Sequence, residues 1–129
     1  KLHSMEELED SWWNLYEKLL STGRAVELSL KIELEDFLYY VQKLIHNKNL
    51  STDENLTGDV SIDTSAFDDS QCIGDWCAHF NFTWKNHKLV GMDIGTDSLV
   101  LMVLSNEEFK RAQELAKELL HRIDVAERL

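Results

Sequence analysis

The sequence predicts an α+β fold with two N-terminal helices, an antiparallel sheet of three to four strands, and a C-terminal helix packed on that sheet. Apolar residues recur at helical spacing near both ends of the chain, and apolar runs of strand length, separated by turns, lie between them. Helices placed before and after a run of strands favour this layering over a parallel doubly wound sheet. A chain of 129 residues is predicted to form a single domain with a core of its own.

The first predicted helix runs from Met5 to Leu20. Its apolar stripe consists of Leu8, Trp12, Leu15, Tyr16 and Leu19. Ser4 and Glu7 have the spacing of a capping box, and Gly23 is a typical residue at a helix end. Residues 1–4 are interpreted as the remnant of a tag, with Met5 as the natural start.

Residues 25–47 fit two patterns. Apolar and polar residues alternate from Val26 to Leu34, as they do in a strand. A helical stripe explains more of the apolar residues, namely Val26, Leu30, Leu34, Phe37, Leu38, Val41, Leu44 and Ile45. The sequence therefore predicts a second, long helix, and the alternative is a strand at residues 25–32. In the helical interpretation Leu28 and Ile32 are exposed.

The middle of the chain predicts the sheet. Residues 49–71 are rich in turn-forming side chains and are expected to connect the helices to the sheet, with a short strand at residues 59–63. Strict alternation predicts a strand at residues 76–84, whose buried face holds Trp76, Ala78, Phe80, Phe82 and Trp84. Leu89–Ile94 is the second predicted strand. Leu99–Leu104, apolar on both faces, is the third and is expected to be central.

The last predicted helix follows the third strand directly. Ser105 and Glu108 repeat the capping-box spacing. The apolar stripe that follows consists of Phe109, Ala112, Ala116, Leu119, Leu120 and Ile123. The helix is therefore expected to continue as far as Ile123.

Charge is distributed unevenly along the chain. The 36 residues between Lys48 and Lys85 contain no lysine or arginine and account for −7 of the net charge of −11. Their acidic residues are Asp53, Glu54, Asp59, Asp63, Asp68, Asp69 and Asp75. A concentrated negative field speeds the capture of a cationic partner and repels nucleic acid. The alternative is that the segment is simply a solvated, turn-rich loop.

Two cysteines and two histidines lie close together in the sequence. Cys72, Cys77, His79 and His87 offer a ligand set that zinc can use, but four residues separate the cysteines, which is a poor zinc spacing. No metal and no cofactor are predicted, and the thiols are expected to be free. Cys77 with His79 or His46 could form a nucleophile and base if the fold brought them together, although structural roles are favoured for all of these residues.

Asp93 to Ser98 predict a tight turn between two strands, in which Gly95 adopts positive φ. Together with the apolar segments Leu89–Met92 and Leu99–Leu101 and the helix from Asn106, this turn resembles small bacterial domains with an aspartate, glycine, aspartate, serine turn. Such turns occur among immunity proteins of polymorphic and contact-dependent growth inhibition toxin systems. The resemblance implies a fold and an inhibitory role, and no catalytic residues.

The functional prediction is a cytoplasmic immunity protein, not an enzyme, that neutralises a basic toxin domain, in particular a nuclease, by steric and electrostatic occlusion. The seven acidic residues of the 49–84 segment form the first candidate contact surface, and Asp93 with Asp97 form the second. No membrane or nucleic-acid partner is expected, because the chain is acidic and contains no long apolar run.

Two other functions are kept as alternatives. A small enzyme or ligand-binding domain would use Cys77, His79, His87 and Asp93, and it requires these side chains to converge on one pocket. A structural or dimerising module would use Trp12, Trp13, Leu28 and Ile32 as apolar contacts outside the core. The chain is expected to be a monomer or a weak homodimer.

Overall fold

The computed structural model describes residues 4–50 and 60–129. Within these residues the chain forms four α-helices and four β-strands. In order they are α1 (Met5–Ser21), β1 (Ala25–Ser29), α2 (Leu34–Asn47), α3 (Ile73–Thr83), β2 (His87–Met92), β3 (Ser98–Ser105), α4 (Asn106–Glu118) and β4 (Ile123–Val125). Two short 3₁₀ turns, Thr64–Ala66 and Ala126–Arg128, complete the described elements.

The four strands form one antiparallel sheet in the order β1, β3, β2, β4. The central position predicted for Leu99–Leu104 is confirmed, because β3 pairs with β1 on one side and with β2 on the other. Alternate residues of β3 point to opposite faces, so Leu101 and Val100 are both fully buried in different clusters. A strand that is apolar on both faces therefore lies between two layers of helices.

Each face of the sheet carries its own hydrophobic cluster. Side chains of α2 and α3 pack on one face, around Phe37 and Phe80. Side chains of α1 and α4 pack on the other face, around Trp12 and Ala116. The predicted α+β class is confirmed, with helices on both faces of the antiparallel sheet. None of the described helices is long and apolar enough to span a membrane.

The N-cap at Ser4 and the capping box at Ser105 are confirmed. Ser4 Oγ accepts a hydrogen bond from Glu7 N at 3.1 Å at the start of α1. At the start of α4, Ser105 Oγ accepts from Glu108 N at 3.1 Å, and Glu108 Oε1 accepts from Ser105 N at 2.8 Å. Both helices therefore begin where the sequence predicted, because a side chain satisfies backbone donors that lack helical partners.

The single long helix predicted for residues 25–47 is wrong, and the alternative strand is right. Residues 25–29 pair with residues 98–102 of β3, and α2 begins only at Leu34. Strand pairing buries Leu28 to 4 % exposure, and Ile32 packs against the same cluster. Neither residue is an exposed contact, and Trp12 is fully buried as well, so these three residues do not form the exposed apolar surface that the dimerising alternative requires. Trp13 is 38 % exposed.

The strand predicted at residues 76–84 is wrong, because this segment is helix α3. Trp76, Phe80 and Trp84 are four residues apart, so they share a face in a helix as well as in a strand. The burial of residues 77 and 82 distinguishes a helix from a strand. Cys77 is fully buried and Phe82 is 89 % exposed, as helical geometry requires and alternation does not. The buried face rests on the sheet through Leu89 and Leu101.

Three smaller boundaries also differ from prediction. Strand β2 spans His87–Met92 instead of Leu89–Ile94. Helix α4 ends at Glu118 because Leu120 adopts φ +61°, and Ile123 then joins the sheet as the first residue of β4. The short strand expected at residues 59–63 falls partly outside the described residues, and residues 60–63 form no strand.

Candidate functional site

A cleft of about 520 Å³ opens where α2 and α3 begin. One wall comes from the residues that connect β1 to α2, and the opposite wall comes from the residues that precede α3. The lining residues are Leu30, Lys31, Ile32, Glu33, Leu34, Glu35, Asp69, Gln71, Cys72, Ile73 and Trp76. The cleft therefore joins two segments that are distant in the sequence.

The apolar part of the cleft wall is well supported. Trp76 donates a hydrogen bond from Nε1 to the carbonyl oxygen of Asp68 at 3.0 Å, and its ring packs 5.4 Å from the ring of Phe37. This bond fixes the segment before α3 against the body of that helix. Ile32 and Leu34 pack against the same hydrophobic cluster, whereas Leu30 is 52 % exposed. An exposed leucine thus stands beside a pre-formed apolar wall.

The rim of the cleft is acidic. Among the described residues that line it, Glu33, Glu35 and Asp69 carry carboxylates and Lys31 is the one cation. All four are exposed. Asp69 makes no hydrogen bond or ion pair with any part of the chain that the structure describes, so its carboxylate is available to a ligand. The cleft therefore offers excess negative charge next to an apolar surface.

Three of the predicted acidic residues have local structural roles. Asp63 accepts hydrogen bonds from Ser65 Oγ at 2.6 Å and Ser65 N at 3.1 Å, and these bonds lower the pKa of Asp63. Asp68 accepts from Ser70 N at 2.9 Å, which lowers the pKa of Asp68. Asp75 accepts from Cys72 N at 3.4 Å at the start of α3. These three carboxylates are exposed, and their hydrogen bonds stabilise the local turns and the start of α3.

The other predicted acidic residues lie in two places. Asp53, Glu54 and Asp59 lie outside the described residues. Asp93 and Asp97 are exposed in the turn between β2 and β3, where Asp93 Oδ1 accepts from Gly95 N at 2.9 Å and Gly95 adopts φ +72°. The predicted positive φ of Gly95 is therefore confirmed.

Leu30 connects the two acidic regions. It lines the large cleft and also a smaller pocket of about 140 Å³ that contains Asp93, Thr96 and Ser98. The contact arises because Ser29, at the end of β1, pairs with Ser98 at the start of β3. The exposed Leu30 side chain thus lines two pockets that contain carboxylates, and the smaller pocket also contains Arg122, which pairs with Asp124. We call the cleft, Leu30 and the Asp93–Asp97 turn the acidic face.

The structure does not bring the cysteine and histidine side chains into one site. Both thiols are free, as predicted. Cys72 is exposed at the cleft, whereas Cys77 is buried in the core, and burial raises the pKa of its thiol. His79 packs 4.9 Å from the ring of Phe67. His87 and Asp93 lie at opposite ends of β2, on the order of 20 Å apart at the rise of a strand.

Within the described residues, possible metal ligands are also dispersed, and Cys77 lies apart from His46. Among the residues that the structure describes, no group of three or more His, Cys, Asp or Glu side chains is placed to hold a metal ion. His46 is exposed in the last turn of α2, and Cys77 is inside the core, so the proposed nucleophile and base are not paired. The convergence that the enzyme alternative requires is not found.

Sequence reasoning missed Glu33, Glu35 and Leu30 as parts of the acidic face. The signal was the acidic start of α2, where Glu33, Glu35 and Asp36 lie in four consecutive positions. Acidic residues at this spacing are typical of a helix N-terminus because they interact favourably with its exposed N–H groups. With a single helix predicted for residues 25–47, that start was hidden.

Comparison with known proteins gives the family and no function. A family model described as a domain of unknown function (DUF6630) matches residues 2–126, so the chain belongs to this family. No curated protein matches the chain. No solved structure matches it either.

Proposed function

We propose that this member of the DUF6630 family is a cytoplasmic immunity protein that binds a basic toxin domain, in particular a nuclease, and neutralises it by steric and electrostatic occlusion. One observation carries the proposal. The 520 Å³ cleft has an apolar wall and an acidic rim, and the exposed Leu30 extends it to a second acidic turn. Asp69 of the first predicted patch and Asp93 of the second therefore line two pockets that share Leu30.

The chemistry of the acidic face matches a lysine or arginine on a protein. Such a side chain has an aliphatic stem and a charged end, so it can lie on Ile32 and Leu34 while its cation reaches Glu33 or Asp69. Guanidinium and carboxylate groups also form paired hydrogen bonds with defined geometry. A basic protein surface therefore uses both properties of the cleft at once.

Leu30 supports a protein partner over a small cation. Protein interfaces concentrate binding free energy in a few apolar or aromatic anchors that charged residues surround. Leu30 is 52 % exposed and lines two pockets that contain carboxylates, in the positions of an anchor and its rim. A small cation would make no use of this leucine.

Electrostatic attraction explains why a nuclease is a suitable target. The chain carries a net charge of −11, and nucleic-acid-cleaving proteins bind phosphates with lysine and arginine side chains. An acidic inhibitor can occupy that basic surface and associate quickly, because opposite fields steer the two proteins together. The same charge keeps the inhibitor away from nucleic acid.

The direct test is to search beside this chain's gene for a large secreted protein with a variable C-terminal domain, and to co-express that domain with this chain. We expect a stoichiometric complex that survives purification at low salt, and loss of DNA or RNA degradation when this chain is in excess. A variant with Glu33→Gln, Glu35→Gln and Asp69→Asn should inhibit less. Absence of such a neighbouring protein, or unaltered degradation in the presence of excess chain, would contradict the proposal.

The matched control is a second triple variant with Asp10→Asn, Glu17→Gln and Glu114→Gln. These residues are exposed on α1 and α4, which pack on the opposite face of the sheet from the cleft. The control removes the same amount of charge as the cleft variant. Full inhibition by the control and reduced inhibition by the cleft variant would locate the effect at the acidic face.

A further inference from the structure

A second surface is defined by Phe82 at the end of α3. Its side chain is 89 % exposed, more than that of any other large hydrophobic residue among those described. Within residues 4–50 and 60–129, its ring makes no contact with another aromatic ring, whereas Phe80, two positions earlier, packs against several. Phe82 therefore belongs to neither hydrophobic cluster of the described residues.

Phe82 stands at the edge of a cleft of about 530 Å³ between α3, α4 and the β2–β4 side of the sheet. Phe109 of α4 and Val125 of β4 provide apolar surface inside it, and both are partly buried. The protruding ring and the cavity that could receive such a ring thus lie side by side. We call this surface the Phe82 face.

The charges that line the cleft of the Phe82 face are balanced. The charged residues that line its cleft are two cations, Lys88 and Arg128, and two anions, Asp124 and Glu127. Both anions are held in place, since Asp124 pairs with Arg122 at 3.2 Å and Glu127 accepts from Asn81 at 2.7 Å. On a chain of net charge −11, two copies repel over most of their surface, and a balanced patch opposes their approach least.

We propose that the Phe82 face binds a second copy of this chain in a two-fold symmetric dimer. In such an interface both copies use the same patch, so the patch must be complementary to itself. A residue of one copy contacts a second residue of the other, and the reverse contact forms across the axis. A projecting ring next to an open cleft that contains Phe109 and Val125 meets this requirement, because each Phe82 can fill the cleft of the other copy. The two cations and two anions on the same rim keep the net charge of the interface near zero, so the patch itself adds little repulsion between the copies.

This dimer would leave the acidic face free. The Phe82 face involves the C-terminal end of α3, whereas the acidic cleft lies at the N-terminal start of that helix. The inference therefore does not depend on the proposed toxin partner, and each can fail separately.

Sedimentation velocity of the full chain at concentrations from about 1 µM to 1 mM tests the inference. We expect a reversible monomer to dimer transition, and we expect Phe82→Ser to raise the dissociation constant at least tenfold. Tyr39→Ser is the matched control, since Tyr39 is an aromatic residue 57 % exposed on α2 and away from the cleft. A monomer at every concentration, or a dimer that Phe82→Ser leaves unchanged, would overturn the proposal.

Two further measurements make the result specific. Circular dichroism of Phe82→Ser should match that of the unmodified chain, because an exposed side chain supports no fold contact. Added salt should strengthen dimerisation by screening the repulsion between two acidic chains. Weakening of the dimer by salt would show that attractive charges hold it instead and would contradict a balanced interface.

Discussion

The side-chain amide of Asn81 forms the two backbone hydrogen bonds with Leu89 that a neighbouring strand would otherwise form. Asn81 Oδ1 accepts a hydrogen bond from Leu89 N at 2.7 Å, and Asn81 Nδ2 donates to Leu89 O at 2.9 Å. Along the same edge of β2, Gly91 pairs with Asp124 of β4 and Asp93 N donates to Arg122 O at 2.9 Å. Strand β4 is only three residues long, so a helix side chain completes the ladder.

Asn81→Ala should lower the free energy of unfolding by about 2 kcal/mol. The substitution leaves both backbone groups of Leu89 without partners in a partly buried place, and it also removes the bond to Glu127. Urea denaturation measures the change. Asn14→Ala is the control, because Asn14 is exposed in α1 and alanine favours helix, so this variant should be neutral or more stable. Equal stability of both variants would disprove the role of Asn81.

The ion pair between Lys48 and Glu108 should make stability depend on acid pH. Partial burial alone would raise the pKa of Glu108. The hydrogen bond from Lys48 at 2.7 Å, the Ser105 backbone and the Lys48 charge outweigh it and lower that pKa from 4.5 to about 2. Because the folded-state pKa is depressed, the stabilisation is present above about pH 4.5 and is lost as the pH falls towards 2.

Lys48→Met should therefore cost about 1 kcal/mol at pH 7, a value reduced for the solvent exposure of Glu108. The difference from the unmodified chain should shrink between pH 5 and pH 2. Denaturant titrations at several pH values measure it, with Lys18→Met near the end of α1 as the control for loss of a lysine. A difference that stays constant with pH would contradict the assignment.

Gly91 should be required because the C-terminal segment packs over it. A Cβ atom at residue 91 would clash with Leu129 Cδ1 and would lie 3.4 Å from Ala126 Cα. Gly91→Ala should destabilise the chain by about 1 kcal/mol, since the Leu129 side chain must move. In a double-mutant cycle, Leu129→Ala should remove most of this penalty. Strict additivity of the two substitutions would exclude the contact.

The two thiols should differ in reactivity. Cys72 is exposed, whereas Cys77 is buried and burial raises the pKa of its thiol. Thiolates are the reactive form, so a disulfide reagent should modify one thiol in the native chain and both after denaturation. Mass spectrometry of Cys72→Ser should then show no rapid native modification. Rapid labelling of that variant would mean that α3 opens readily.

Element boundaries were predictable from the sequence where neighbouring residues determine them. Ser4 and Ser105 cap helices through neighbouring residues, so the starts of α1 and α4 were predictable. Residues 25–29 form a strand because β3 offers a partner, which a single stretch of sequence does not reveal. In α3, the spacing of Trp76, Phe80 and Trp84 fits both a helix and a strand. Only the burial of Cys77 and the exposure of Phe82 distinguish the two.

Only part of the candidate site was predictable, because sequence patterns do not show which distant segments meet in the fold. Asp69 was identified because it belongs to a stretch of one charge sign. Glu33 and Glu35 lie more than thirty residues earlier, and they reach the same cleft only because α2 and α3 begin side by side. A linear distribution of charge cannot show this proximity.

The most direct test of the central claim is the association rate with the proposed toxin domain, measured by stopped flow at low and moderate salt. Loss of the three carboxylates Glu33, Glu35 and Asp69 should slow association about tenfold at low salt and flatten its salt dependence. The triple variant of Asp10, Glu17 and Glu114 should associate almost as fast as the unmodified chain. Equal rates for the two variants would mean that the acidic face does not bind the partner.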